Sequence, residues 1–200
     1  MREIFINIDI VMILVETFLI NFIVSQAELV VNIVAVSNFK WSIGRLSAVT
    51  LVGTVLSVAT MKLVQRLKTG EDAYFLINLC LVGNWITLCV LVLVTNFSIT
   101  WNTLQTAVVL SALFLDIIPG FNSAPWSLTL LYMIVPEHSR CFISGLRQAS
   151  GKVACAFGYF TAASMFSLSA YVYPVLEICC FALTLFFLGR RKKFFKLYQV

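Results

Sequence analysis

Apolar residues run along this chain in blocks of about 20 or more, with polar residues gathered into short breaks, and a block of that length is what a membrane-crossing helix requires. Six such blocks predict six helices, at about 6–37, 43–64, 73–95, 103–134, 141–166 and 169–189. The breaks between them are short. Asn38 to Ser42 separates the first two helices, and Gly70 punctuates the second break. The fourth break is Pro136-Glu137-His138-Ser139-Arg140. No break is long enough to divide the chain into domains. The runs are continuous rather than alternating, which argues against an outer-membrane barrel.

Polar residues inside the blocks have a pattern of their own. In the first block Thr17, Asn21, Ser25, Glu28 and Asn32 follow one another at steps of four, four, three and four. At 3.6 residues per turn those side chains share one face. The fourth block repeats the motif with Asp116, Gly120, Ser123 and Ser127, and places Pro119 and Pro125 within the span. Prolines there free backbone carbonyls that lipid cannot satisfy. A polar face carrying a carboxylate predicts the wall of a solute path, with Asn21, Ser25, Glu28, Asn32, Asp116 and Ser123 lining it. The alternative is a set of structural hydrogen bonds between helices. The fifth block has a different face. Ser150, Ala154, Gly158 and Ala162 recur every four residues, and the second block has a milder version in Gly53 and Ser57. Small residues at this spacing let helix backbones approach closely, either at a seam between bundles or in packing within one.

Composition agrees with a multi-pass membrane protein. Of the 200 residues, 60% are hydrophobic and 12% charged, against roughly 25% charged in soluble domains. Mean hydropathy is +0.97. The net charge of +5 does not point to nucleic acid, because its distribution follows the membrane. If the chain crosses six times, Lys40 and Arg45 alone among the 14 Lys and Arg fall on one side. Both termini are therefore expected in the cytoplasm, with the basic tail over 190–200 against anionic lipid. The six cysteines form no metal-ligand spacing and read as small packing residues, and His138 has no second ligand near it. No cofactor, metal or catalytic constellation is indicated, so an enzyme is not expected.

Several stretches resemble the C-terminal half of a major facilitator superfamily transporter. They are Phe39-Lys40-Trp41-Ser42-Ile43-Gly44, the Pro-broken run Asn122 to Trp126, and Val135-Pro136-Glu137-His138-Ser139-Arg140 followed by Gly145-Leu146-Arg147-Gln148 and Gly151-Lys152. The resemblance implies an all-α membrane fold in which six helices form one half-bundle. It implies a cavity lined by the first and fourth helices, and a seam against the other half formed by the second and fifth. The connection over 65–72 lacks the Gly-x-x-x-Asp-Arg signature of that family. One half has no opposing wall. The expectation is a half-transporter or truncated product that needs a second half, from its own copy or another chain, to move a small solute. The alternative is a non-transporting multi-pass scaffold.

Overall fold

The computed structural model describes residues 7–37, 39–64, 70–96, 103, 106, 108, 110–111, 123–164 and 169–198. These residues are almost entirely helical, and none of them is in a strand. The helices are α1 (Ile8–Ser37), α2 (Ile43–Val64), α3 (Gly70–Asn96), α4 (Ser123–Ile134), α5 (Arg140–Ser164) and α6 (Ser169–Tyr198). A 3-10 turn, Glu137–Ser139, joins α4 to α5. Residues 103, 106, 108, 110 and 111 are also helical, so the part of the fourth predicted helix that includes Asp116 lies outside the described residues. The last helix exceeds its predicted end. It runs through Arg190 to Lys196, because Phe194 and Phe195 fold back onto Tyr74 with ring centroids 5.3 and 5.6 Å away.

Local chemistry sets the two best-described turns. At the end of α1 the Trp41 amide donates to the Ala35 carbonyl at 3.1 Å and the Phe39 amide to Val34 at 3.3 Å. Lys40 adopts a positive φ of 53° to allow the reversal. Ser42 then starts α2, its hydroxyl oxygen accepting from the Arg45 amide at 3.3 Å. At the other turn Pro136 stops α4. Arg140 reaches back, donating to the Tyr132 carbonyl at 3.1 Å and to Glu137 at 3.4 Å, with its guanidinium over the Tyr132 ring. The Pro-x-x-x-Arg spacing singled out in the sequence thus works here as a helix C-cap followed by a helix start.

The helices alternate in direction. Asn21 meets Gly151, Ser25 meets Gly158, and Gln26 meets Thr161, so α1 and α5 run parallel. Tyr74 donates to the Phe187 carbonyl and Cys89 to Glu177, so α3 and α6 run antiparallel. α1 also lies against α4 and α3. Two apolar clusters stack along the bundle. One gathers Ile13, Tyr74, Ile77, Leu130, Leu131, Ile143 and Phe187 near the start of α1. The other gathers Ile23, Ala27, Val31, Trp41, Leu88, Tyr173 and Cys180 near its end. α2 is the outlier. Among the described residues it touches little beyond α1, and Ile43, Leu51 and Val55 are 80%, 65% and 61% exposed.

Four helices are long and apolar enough to cross a membrane: Ile8–Ser37, Ile43–Lys62, Asp72–Val90 and Tyr171–Leu197. Length and composition are thus consistent with an integral membrane protein, with four of the six predicted spans meeting that test among the described residues. The described part of α4 is too short for it. α5 differs for another reason. Its first half carries Arg140, Arg147 and Lys152, and its buried positions Ile143, Arg147, Gly151, Ala154, Gly158 and Ala162 form one stripe. It is an amphipathic helix seated on α1.

The two ends of the chain are pinned together. Arg190 grips Asp9 with both a 2.6 Å and a 3.1 Å hydrogen bond, and the Asp9 side chain is only 5% exposed. Removing one partner of such a buried pair leaves a desolvated charge. Arg190→Met is expected to lower stability in detergent by about 3 kcal/mol. Asp9→Leu combined with Arg190→Met should recover part of that loss. Denaturant unfolding of the three proteins checks both.

Candidate functional site

The polar face of α1 divides in two. Its first half packs into the bundle. The Asn21 amide donates to the Thr17 carbonyl at 2.7 Å, and the Ser25 hydroxyl donates to the Asn21 carbonyl at 2.8 Å. Both side chains lie against α5: Asn21 beside Gly151 and Cys155, Ser25 beside Gly158. Asn21 and Ser25 therefore face α5 where open space was expected. The physical reason is their self-satisfaction, since a side chain bonded one turn back on its own helix can be buried against another.

The second half of the face opens outward. Glu28 and Asn32, one turn apart on α1, meet Leu46, Ser47, Thr50, Leu51 and Thr54 of α2 around an open groove of about 450 Å³. The α2 positions follow helical spacing, so one face of α2 supplies them all. From α5, Tyr159 donates its hydroxyl to Glu28 Oε2 at 2.7 Å. Three helices thus fix the carboxylate: α1 carries it, α5 orients it, and α2 closes the opposite wall. Thr50 and Thr54 spend their hydroxyl protons on their own helix, donating to the Leu46 carbonyl at 3.2 Å and the Thr50 carbonyl at 2.9 Å. Their lone pairs remain available.

The other predicted site residues are distributed as follows. Asp116 lies outside the described residues. Ser123 is the first residue of α4, and its side chain is also outside them. Ala154, Gly158 and Ala162 are buried and Ser150 is half-buried. Together they seat α5 on α1 of the same chain. On α2, Gly53 is buried and Ser57 half-buried. Gly158 marks the closest approach. A Cβ there would lie 2.7 Å from the Phe22 carbonyl oxygen and 2.9 Å from Ser25 Cβ.

Glu16 lies off the polar stripe of α1, so helical period alone leaves it outside the predicted site. Glu16 is fully buried, and its carboxylate accepts from Thr17 at 3.3 Å. Arg147, 8% exposed, lies within electrostatic range of Glu16 and Tyr132. The available signal was positional: Arg147 falls one turn before Gly151 on the small-residue stripe of α5. Among the described residues no group of three His, Cys, Asp or Glu side chains could hold a metal ion.

No protein-family model matches the chain, and no curated protein or solved structure matches it either.

Gly158→Ala is expected to destabilise the bundle by about 1–3 kcal/mol, because the added methyl meets backbone on α1. Gly44→Ala, with nothing within 4 Å of the added carbon, should be neutral or slightly stabilising. Paired thermal unfolding curves distinguish a close helix contact at Gly158 from a general preference against alanine.

Proposed function

We propose that this chain is one six-helix half of a small-solute membrane carrier of the major facilitator type, working with a second half, and that the α1–α2 groove belongs to its solute path. The observation that supports this reading best is the groove: a carboxylate, an amide and three hydroxyls line it between two helices apolar enough to span a membrane. Such groups are costly against lipid tails and are placed most cheaply along water or solute. The tyrosine bond to Glu28 supports the same reading, since it holds the carboxylate in one position without neutralising its charge.

The proposed orientation puts both termini in the cytoplasm. It draws on the basic residues, which concentrate near the end where Asp9 meets Arg190. The groove then opens in the outer half of the bilayer. A second half would stand against α2, whose apolar surface its own chain leaves uncovered. That same exposure favours a second reading, in which α2 docks another membrane protein and nothing is carried.

Reconstitution separates the two. In proteoliposomes the carrier reading predicts saturable entry of a small solute, reduced about tenfold or more by Glu28→Gln with folding unchanged. Asp116→Asn should reduce it as well if the fourth-helix face joins the path. Flux no greater than in empty vesicles, across a broad solute panel and with the protein demonstrably oligomeric, would leave the docking reading in its place.

A further inference from the structure

We propose that the α1–α2 groove binds the headgroup of a primary alkylammonium ion, an inference that rests on reading this groove as the solute site. The chemistry of the lining decides the class. Glu28 supplies a negative charge, and Tyr159 uses only Oε2, leaving Oε1 able to accept. The Thr50 and Thr54 hydroxyls have committed their protons to backbone carbonyls, so toward the groove they act as acceptors. Ser47 and Asn32 complete the polar wall. Among the described residues no basic side chain lines the groove. The cations nearest in sequence are Lys40 and Arg45, and Arg45 lies over the Trp41 ring, 5.9 Å from its centroid.

Each competing ligand class meets a specific obstacle. An anion would face the Glu28 carboxylate with no cation among the described lining residues to offset it. A neutral polyol would find donors in Ser47 and the Asn32 amide but would leave the Glu28 charge without a counter-charge. A primary ammonium carries one positive charge and three N–H donors, which matches a carboxylate ringed by acceptor oxygens. Leu46 and Leu51 provide apolar wall for a short alkyl stem, and the groove volume suits a few carbons. The ammonium could arrive on a free amine or on the headgroup of phosphatidylethanolamine. The recognition chemistry is the same for both.

The test measures binding rather than flux. The full chain in phosphatidylcholine nanodiscs is titrated calorimetrically with butylammonium chloride at constant ionic strength. Saturable binding is expected. Tetramethylammonium, with the charge but no N–H donor, should bind about tenfold more weakly, and butyrate not at all. Glu28→Gln should weaken butylammonium binding about tenfold or more, and Thr50→Val several-fold, with helicity and thermal midpoint retained. If Glu28→Gln does not fold, the ligand series and Thr50→Val still decide the question. In phosphatidylethanolamine nanodiscs an unchanged affinity identifies the free amine as ligand, and competitive weakening identifies the lipid headgroup. Absence of saturable butylammonium binding, or equal binding by a folded Glu28→Gln protein, overturns the proposal. Binding without flux would sink carriage and leave this inference standing. Glu28-dependent flux of an uncharged solute, without butylammonium binding, would do the reverse.

Discussion

The contact between α1 and α5 at Gly158 governs where the polar residues of α1 go. With no side chain at Gly158, the backbone at Phe22 and the side chain of Ser25 come within a distance no Cβ tolerates. With the helices that close, Ser25 is buried and Asn21 half-buried, and each donates to a carbonyl one turn back on its own helix. Further along, Gln26 bonds Thr161 at 2.6 Å and Glu28 accepts from Tyr159, so the same seam extends as side-chain bonds. A parallel pair held this way fixes the rotation of α1 about its axis. That rotation delivers Glu28 and Asn32 to the α2 side.

The charged residues divide along the bundle in a consistent way. Near the start of α1 lie Asp9 with Arg190, and Glu16 within range of Arg147. Each acid there has a guanidinium as neighbour, in surroundings packed with Ile13, Tyr74 and Phe187. Such pairs tie helix ends together and hold register more than they add net stability. Glu28, at the other end, is exposed and bonded to a neutral phenol. A carboxylate compensated by a cation is structurally occupied. One held by a hydroxyl retains its charge for something else, which is why the two ends invite different functional readings.

Much of the helix arrangement was legible in the sequence. The apolar blocks located α1, α2, α3 and α5 within a few residues, and the four-residue spacing of Ala154, Gly158 and Ala162 identified the packed face of α5. Helical period tells which residues share a face, but it does not tell what that face meets. The five polar positions of α1 form one stripe by period, yet α5 covers Asn21 and Ser25 while α2 stands opposite Glu28 and Asn32. Tyr159 was illegible for a related reason. An aromatic in an apolar helix carries no mark of its partner until the helices are placed. The continuation of α6 through its basic run was hidden because Arg190 to Lys196 resembles a solvated tail. Phe194, 2% exposed, is what keeps it helical and packed.

α2 links the fold to the functional question. A lone apolar helix gains little by leaving lipid for another apolar surface, so its weak contact with the bundle is no anomaly in a bilayer. What requires explanation is its polar edge. Ser47, Thr50 and Thr54 fall on the one side of α2 that meets Glu28 and Asn32, while Val52 and Val55 remain outward. Thr50 and Thr54 satisfy their own donors locally, and so need no partner to be stable where they are. The acceptor-rich character of the groove is therefore built into α2 itself. It persists whether α2 stays close to α1 or moves as a unit, and a ligand bound across the groove would gain most from the closer arrangement.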